Sequence, residues 1–341
     1  MKRCILILMM TLVAFGAWAQ DLSTFKTGFE SFAVDMAATL SYNATVGNNW
    51  SDAYIGQFPH FGAGVALGAT AVPADSLKPL FTAMGKPLPA ELQQYGLPIP
   101  AAAVSAKLGG LFLPFDLGVK AMILPAQATA ALSSQGIAAD YKLIGGNVRV
   151  ALLKEKGLMP DLSIGGGYNR LVGTMSMDAG IPTQTYLFTP PSNPEHSLEV
   201  RDPTIALDWT TDSFDFSAQV SKKILFLRPF LGVGYSLGKS AVNGGLKADM
   251  YYDDNTGDAT PAHLITAGEL QDIKDQLAAA GQPVPDISAD GFMFAAENNE
   301  PVLRLYGGVS LNILFLNLDL QGIYVPKTKS LGANAMIRVQ F

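Results

Sequence analysis

The sequence contains a single cysteine, Cys4, and three histidines among its 341 residues. Cys4 lies in the basic segment at the start of the chain, so no thiol is available anywhere else. A chain without a cysteine pair has no disulfide and no cysteine metal site. His60, His196 and His263 are far apart in the sequence and do not show the spacing of metal ligands. We therefore expect neither a metal site nor any other cofactor.

Long apolar runs are also missing, although 49% of the residues are hydrophobic. A membrane-spanning helix needs about 20 consecutive apolar residues, and no later segment provides them, which excludes a helical membrane protein. The apolar residues are distributed in short pieces, as they are in alternating barrel strands. Charged residues make up only 15% of the chain, with a formal net charge of −6. Such an acidic balance argues against a nucleic-acid partner.

The first 19 residues have the pattern of a secretory signal peptide. Lys2-Arg3 forms a charged start, Ile5 to Phe15 is an apolar run, and Ala17-Trp18-Ala19 is an A-x-A cleavage site before Gln20. We expect cleavage after residue 19 and export of the product. In bacteria this pattern, together with the barrel pattern described below, predicts an outer-membrane protein.

The last stretch of the chain has the clearest strand pattern. From Leu316 to Tyr324 apolar and polar residues alternate with period two, and the alternation resumes from Leu331 to Phe341. A soluble protein rarely ends on an unprotected strand with an apolar face, whereas a closed barrel in lipid seals such a strand to its partner. We expect Phe341 to act as the signal for the outer-membrane assembly machinery. A soluble β-sandwich with a polar outer face is the alternative.

Short and long connections alternate along the chain, as in bacterial barrels with tight periplasmic turns and long extracellular loops. Four predicted hairpins have tight turns: 101–112 with 115–124, 141–153 with 161–174, 214–226 with 230–240, and 302–313 with 316–325. The long connections are 73–100, 125–140, 176–208 and 242–301, the last with a predicted helix from Thr266 to Ala280. Residues 198–209 are predicted to add an extracellular hairpin arm.

The strand parity follows from these turns. If each tight turn is periplasmic and Phe341 ends in the periplasm, the strand that begins at His60 runs outward and no spanning strand precedes it. The all-β prediction is a transmembrane antiparallel β-barrel of about ten strands over residues 60–341, with twelve as the alternative count.

Residues 20–59 form a separate N-terminal segment. Leu22 to Tyr42 has apolar residues at spacings of three and four, which predicts an amphipathic helix with Ser23 as a cap. We expect this helix to be lumenal or periplasmic and the polar stretch 43–59 to be a loop. The alternative is that 35–43 is a strand.

Alternation also divides the predicted strands into two faces. One face is apolar and should contact outer-membrane lipid. The other carries charges of both signs, which a spanning strand tolerates only toward a lumen. The predicted lumen-facing residues are Lys107, Asp116, Lys120, Asn147, Arg149, Gln219, Arg304, Asn317, Asp319, Gln321 and Arg338.

Three segments of the chain carry a resemblance to a known family. Asn48-Asn49-Trp50 with Ala53, Pro59-His60-Phe61-Gly62, and the run from Ser221 to Tyr235 resemble a family of uncharacterised outer-membrane β-barrel proteins of diderm bacteria. That resemblance implies location and architecture and no ligand. The chain is more loosely similar to FadL-type fatty-acid transporters, which place an N-terminal segment in the lumen, but it is shorter and has fewer clear strands.

Two functions follow from a barrel. The first is passive transport of a small solute, or of a hydrophobic, fatty-acid-like ligand, across the outer membrane. The second is a structural or surface-interaction barrel with a closed lumen and adhesin-like loops, which a count of ten strands favours because small barrels are filled by side chains. The sequence has no G-x-S-x-G motif and no assignable catalytic triad, so we expect no enzymatic activity.

Overall fold

Alternating residues build thirteen strands within the described part of the chain. The computed structural model describes residues 27–341 except 57, 84–86, 111, 135, 179–182, 189–195, 255–261 and 280–286. The predicted signal peptide and the first five residues of the predicted helix, 22–26, lie outside these residues. The strands are β1 (Phe61–Val72), β2 (Leu97–Gly109), β3 (Phe115–Ile123), β4 (Ile137–Leu153), β5 (Asp161–Asp178), β6 (Gln184–Phe188), β7 (His196–Ser221), β8 (Leu227–Asp253), β9 (His263–Leu264), β10 (Gly291–Asn298), β11 (Val302–Ile313), β12 (Leu316–Val325) and β13 (Ser330–Gln340).

Five helices accompany these strands. They are α1 (27–43), α2 (Ala74–Ala83), α3 (Ala90–Tyr95), α4 (Ala126–Ser133) and α5 (Ala267–Ala279). The helix predicted near Thr266 is confirmed as α5, which begins with a capping box: Thr266 N–H donates to Glu269 at 2.9 Å and Glu269 N–H donates back to Thr266 Oγ1 at 3.3 Å. No helix in the described ranges is long and apolar enough to cross a membrane.

Ten strands close into a ring. Their order is β8-β11-β12-β13-β1-β2-β3-β4-β5-β7, and β7 pairs with β8 again. All of these pairings are antiparallel, including the seam between the first and last strands, where Gly62 lies opposite Gln340. The predicted antiparallel transmembrane β-barrel of about ten strands is therefore confirmed. β6, β9 and β10 pair with the extensions of β7 and β8, outside the ring.

The connections β2–β3, β4–β5, β7–β8 and β11–β12 are short and lie at one end of the barrel, which we call the tight-turn end. The opposite end, the loop end, has the long connections and one short one, residues 326–329 between β12 and β13. β11 and β12 have the bounds that the alternation predicts. The turn predicted at Leu227-Arg228-Pro229 is wrong, because these residues are the first of β8 and the loop is Leu225-Phe226. Pro229 is compatible with that position since it lies near the start of the strand.

The strands at the loop end extend further than a spanning strand needs. Residues 198–209, the predicted hairpin arm, are strand, and residues 242–253, a predicted loop, are strand as well. Residues 198–209 and 242–253 extend β7 and β8, whose pairing continues from Ser197 opposite Asp253 down to Ser221 opposite Phe230. β2 likewise begins at Leu97, four residues before the predicted start. These extensions rise beyond the apolar face of the wall, so their residues no longer alternate between lipid and lumen. The period that reveals a spanning strand is therefore absent from them.

The outward face of the ring is an apolar belt. Val119 is 65% exposed and Leu305 is 45% exposed, as expected for side chains that face lipid rather than a protein core. Among the described residues, three charged pairs lie on the outward face where the belt ends toward the loop end. These pairs are Lys142 with Asp140, Arg170 with Asp212, and Lys239 with Glu297.

Candidate functional site

Residues 27–56 lie inside the ring, and we call this segment the plug. Near its start Phe29 packs against Phe294 of β10 at the loop end, with ring centroids 5.7 Å apart. At its other end the chain reaches the tight-turn end, where Phe58 N–H donates to the carbonyl of Gly110 at 3.0 Å. Leu40, Trp50 and most of the residues between them are buried. The plug therefore runs the height of the barrel and enters β1 from the tight-turn end.

The first half of the plug is helix α1, and its apolar face fills the upper part of the lumen. Phe29, Phe32, Met36 and Leu40 recur at helical spacing and are each at most 3% exposed. They belong to one buried cluster with residues of the inner wall, among them Leu171, Leu207, Trp209, Val242 and Met250. The helix predicted from Leu22 to Tyr42 thus has its apolar partner, which is the inside of the barrel.

A wall lysine holds the C-terminal end of α1. Lys120 Nζ on β3 donates to the carbonyl oxygens of Ala44 at 2.5 Å and of Val46 at 2.8 Å. These two carbonyls lie in the turn that directly follows α1. A buried carbonyl without a hydrogen-bond donor is costly, so a donor from the wall is favourable there. Lys120 is only 4% exposed. Its role in this geometry is to fix the plug and not to attract a solute.

The backbone N–H groups of the second half of the plug are bound by wall side chains from three directions. Ser51 N–H donates to Asp319 Oδ2 at 3.2 Å, Ala53 N–H to Ser221 Oγ at 3.0 Å and Ile55 N–H to Asp116 Oδ2 at 3.0 Å. These acceptors lie on β12, β7 and β3. Because alternate residues of the plug reach different sides of the ring, the segment is held at the centre of the lumen.

The carbonyl groups of the same segment are bound as well. Gln219 Nε2 donates to Trp50 O at 2.7 Å, Arg149 Nη1 to Asp52 O at 2.7 Å and Ser163 Oγ to Ala53 O at 2.7 Å. An unpaired backbone group in such a buried place is costly, and these wall residues remove that cost. The inner wall therefore supplies both donors and acceptors that match an extended peptide.

Three buried arginines of the wall pair with carboxylates. Arg149 contacts Asp116 at 2.6 Å, Arg304 contacts Asp215 at 2.5 Å and Arg338 contacts Asp319 at 2.9 Å. None of the three arginines is more than 2% exposed. Removal of one member of such a pair leaves the other as an uncompensated buried charge, so both members of each pair are needed for stability.

Asp52 links the plug to these arginines. Its carboxylate contacts Arg338 at 2.6 Å and Arg228 at 2.8 Å, while Arg338 also bonds Ser51. The neighbouring Trp50 is fully buried, and its ring lies 5.0 Å from the Arg338 guanidinium and 5.6 Å from Lys107 Nζ. A side chain on Gly62 of β1 would approach the Trp50 ring to 2.9 Å, which explains a glycine at that wall position.

The eleven predicted lumen-facing residues have similar surroundings. Lys107, Asp116, Lys120, Arg149, Gln219, Arg304, Asn317, Asp319, Gln321 and Arg338 are buried, and Asn147 is half-buried. Asn147 accepts a hydrogen bond from Lys107 at 3.2 Å, and Gln321 accepts one from Asn334 at 3.1 Å. Seven of the eleven form the ion pairs and plug contacts described above, namely Asp116, Lys120, Arg149, Gln219, Arg304, Asp319 and Arg338, and Lys107 lies over the Trp50 ring.

Sequence reasoning missed the plug half of this site. The polar stretch 43–59 was expected to be a loop, but its residues 43–56 lie in the lumen and provide Trp50, Asp52 and Ile55. A buried Trp and Asp in an Asn- and Gly-rich stretch have no periodicity, so spacing did not indicate them. The signal that was available is the large aromatic Trp50 itself in an otherwise polar segment.

Phe341 lies at the seam of the barrel. Its N–H donates to Phe61 O at 2.9 Å, and Phe61 N–H donates to Phe341 O at 3.1 Å. Its ring lies between those of Phe61 and Phe315, with centroids 5.4 and 5.7 Å away. The last residue is therefore part of the closure between β13 and β1.

The described residues include no group of three or more His, Cys, Asp or Glu side chains that could hold a metal ion. At the loop end, His263 Nε2 lies 2.8 Å from Glu269 Oε1 and Tyr252 Oη lies 2.6 Å from His196 Nδ1. The first contact joins β9 to α5, and the second joins β8 to β7. They lie outside the ring and do not reach the plug contacts.

Comparison with known proteins gives neighbours in structure alone. No family model and no curated protein matches the sequence. The outer membrane protease OmpT from Escherichia coli is 8% identical, with 83% of this chain and 97% of that chain covered and a TM-score of 0.37. The translocator domain of autotransporter NalP from Neisseria meningitidis is 8% identical over 83% and 87%, with a TM-score of 0.28. A Pseudomonas aeruginosa FadL homologue is 9% identical over 83% and 90%, with a TM-score of 0.24.

These three proteins are a protease, an autotransporter translocator domain and a FadL homologue, and the similarity concerns the barrel fold only. The class of protein is defined by the closed ten-stranded ring and its apolar belt, which are those of a barrel of the outer-membrane type.

Proposed function

We propose that this chain is a bacterial outer-membrane β-barrel whose lumen is closed by its own plug, and that it serves as a structural or surface-interaction barrel. The observation that carries this proposal is the way the polar wall residues bind the plug backbone between Trp50 and Ile55. In a solute pathway those donors and acceptors would have to face water or the solute. Here their hydrogen bonds are made within the protein.

The location in the membrane follows from three features together. The predicted signal peptide 1–19 directs export, the apolar belt fits a hydrocarbon layer, and the tight turns at one end fit the periplasmic side. With that orientation the loop end and the start of α1 face the outside of the cell. Outer-membrane lipid and the assembly machinery are then the expected partners, and membership of the family of uncharacterised outer-membrane barrels stays a prediction.

The loop end is asymmetric, which favours a surface role. β7 and β8 continue past the belt and carry β6, β9, β10 and α5 on one side of the barrel. Among the described residues, this raised part of the sheet contains backbone ladders and a capped helix. A rigid surface of this kind suits contact with another molecule better than a flexible loop does.

Conductance tests the closed lumen. The purified wild-type protein, shown by heat-modifiable gel mobility to be folded, is added to planar lipid bilayers. We expect no long-lived conducting state, and we expect channels from a folded variant that lacks residues 27–56. Stable channels from the wild-type protein would contradict the proposal whether or not the deletion variant folds.

Transport of a hydrophobic ligand is the second candidate, and one observation favours it. The upper lumen around α1 is lined by apolar side chains such as Leu171, Leu207 and Val242, so movement of α1 would leave an apolar cavity open to the loop end. Organic extraction of the purified protein, followed by mass spectrometry of the extract, tests this function. A stoichiometric fatty-acid-like ligand would favour transport over the closed barrel.

We propose no enzymatic activity and no cofactor. The carboxylates Asp116, Asp215 and Asp319 of the lumen are each bound by an arginine, and an arginine-bound carboxylate is a poor general base. Incubation of the folded protein with peptide, ester and phospholipid substrates tests this proposal, and turnover of any of them would contradict it.

A further inference from the structure

The tight-turn end contains the same tetrapeptide twice. Ile-Leu-Phe-Leu occurs at 224–227 between β7 and β8 and at 313–316 between β11 and β12. In the first turn Ile224 N–H donates to Leu227 O at 2.8 Å and Leu227 N–H donates to Ile224 O at 2.9 Å. In the second, Ile313 lies opposite Leu316. Both are two-residue hairpin loops made of Leu-Phe.

The leucine in each loop has an unfavourable backbone conformation. Leu225 has φ 58° and Leu314 has φ 54°, in the left-handed region. A third turn of the barrel, between Lys156 and Met159, has Gly157 at the equivalent position with φ 57°. Glycine adopts this conformation without steric cost, whereas leucine does not. Leucine at two such positions therefore needs a compensating interaction.

That compensation does not come from the protein. Leu225 is 81% exposed and Leu314 is 93% exposed, so their side chains have few protein neighbours. Leu158, the second residue of the Gly-Leu turn, is 98% exposed. Three neighbouring turns thus point large apolar side chains away from the molecule at the same end of the barrel.

The two Leu-Phe turns belong to one continuous apolar surface, which we call the rim. Asn312 N–H donates to Phe226 O at 2.7 Å, which joins the turns to each other. Phe315 stacks on Phe341, and Phe341 contacts Phe61 across the seam. The rim adjoins the apolar belt, because Leu227 and Leu316 after the two turns are already on the outward face of the wall.

Basic side chains accompany the rim. Lys223 precedes the first Leu-Phe turn and is exposed, as are Lys154 and Lys156 beside the Gly-Leu turn. Lys222 donates to Met159 O at 3.1 Å and pairs with Glu155 at 3.2 Å, so it ties these two turns together. Apolar tips flanked by lysines are the combination that binds the interface of an anionic lipid layer.

We propose that the rim is a phospholipid-binding site, in which the Leu-Phe tips insert into the leaflet around the tight-turn mouth and the lysines favour anionic head groups. This inference rests on the proposed location of the barrel in a membrane. The occupant is the phospholipid leaflet because the rim is continuous with the belt, and because the uncompensated leucines need an apolar environment. A soluble protein or a second copy of the chain are the competing occupants.

Fluorescence quenching tests the insertion. Cys4 lies outside the predicted mature chain, so a single cysteine at Phe226 or Phe315 can be labelled with an environment-sensitive dye. Each labelled variant is placed as a single copy in nanodiscs whose only other protein is the scaffold. Leu318→Cys, on the outward belt, is the lipid control, and Asp272→Cys, exposed on α5, is the water control. We expect lipids with a quencher near the head group to reduce the emission of both rim probes by more than half.

The controls separate the inference from the proposed location. Quenching at Leu318 without quenching at the rim would overturn the lipid site and leave the membrane barrel intact. An unquenched Leu318 would overturn both. The variant L225G/L314G separates the backbone effect of the two leucines from their contact with lipid. In detergent it should unfold at an equal or higher temperature than the wild-type protein, because glycine fits the backbone conformation. In nanodiscs it should lose the stabilisation that phosphatidylglycerol gives over phosphatidylcholine. Retention of the full lipid effect in L225G/L314G would overturn the inference.

Discussion

Arg149 on β4 lies directly opposite Asp116 on β3 and donates two hydrogen bonds to its carboxylate, with Nη2 to Oδ2 at 2.6 Å and Nε to Oδ1 at 3.0 Å. The same two side chains bind the plug, Asp116 through Ile55 N–H and Arg149 through Asp52 O. One ion pair of the wall therefore fixes both the strand pair and the segment that fills the lumen.

Removal of one partner of this pair should be strongly destabilising. We expect Asp116→Asn to lower the free energy of unfolding by about 3 kcal/mol or more, because it leaves the buried Arg149 guanidinium uncompensated. Urea titration of the folded protein in lipid measures this change. The control is Asp140→Asn, whose carboxylate pairs with Lys142 where both side chains are about half exposed to water. We expect little change in the free energy of unfolding for this control. An equal loss of stability in the two variants would contradict the role given to the Arg149–Asp116 pair.

The start of α1 should be accessible from outside the cell. Ser31 is exposed at the loop end of the plug, and Lys156 is exposed in a tight turn at the opposite end. We expect a membrane-impermeant maleimide to label Ser31→Cys on intact cells and to label Lys156→Cys only after the outer membrane is permeabilised. The reverse pattern would show that the barrel has the opposite orientation.

Phe341 should matter for assembly. Replacement by Asp puts a charge between the rings of Phe61 and Phe315 at the seam, where the last strand must close on the first. We expect a reduced amount of folded protein in the outer-membrane fraction for Phe341→Asp and a near-normal amount for Phe341→Trp. Heat-modifiable gel mobility distinguishes folded from unfolded material. Equal amounts of folded Phe341→Asp and Phe341→Trp protein would show that Phe341 is not part of the assembly signal.

Acid should loosen helix α5. Burial acts to raise the pKa of Glu269, but hydrogen bonds from Thr266 and His263 outweigh it and hold the pKa below its usual value. A carboxylate with a lowered pKa stabilises the folded form above its unfolded pKa of about 4.3, and that contribution is lost as the pH falls through the folded value. We expect the protection of α5 amides against exchange, relative to the intrinsic rate at each pH, to decrease below about pH 4, and Glu269→Gln to abolish that pH dependence. An unchanged pH dependence in the glutamine variant would assign it to another group.

The sequence predicts best those strands whose residues face two different environments in alternation. β11 and β12 have the predicted bounds because each residue faces either lipid or the lumen, so polarity alternates along them. The extensions of β7 and β8 lack this contrast, and residues 242–253 were expected to be loop for that reason. The helix α1 was predicted from apolar residues at spacings of three and four, which place them on one face, and the inner wall is the partner of that face.

The lumen site was predictable only on its wall side. Arg149, Arg304 and Arg338 stand out because a charge on a spanning strand has to face inward. Their plug partners do not, since Asp52 and Ser51 follow no period and are held by contacts distant in sequence. The turn at Leu314-Phe315 was predicted and the one at Leu225-Phe226 was not. The left-handed conformation of both leucines was not indicated, because it is a property of the backbone and not of the residue types.

The position of the plug is tested most directly by one cross-link. Ser41 Oγ on α1 lies 3.1 Å from Ser240 Oγ on β8, and both side chains are buried. Two cysteines at this separation reach disulfide geometry with a small adjustment, and the predicted mature chain has no other thiol. The control combines Ser41→Cys with Ser310→Cys. Ser310 is an equally buried serine, but it lies opposite Arg228 near the tight-turn end of the barrel. The measurement is the disulfide yield in folded, membrane-inserted protein. We predict a nearly complete cross-link for S41C/S240C and none for the control. A folded S41C/S240C protein with both thiols free would contradict the closed lumen.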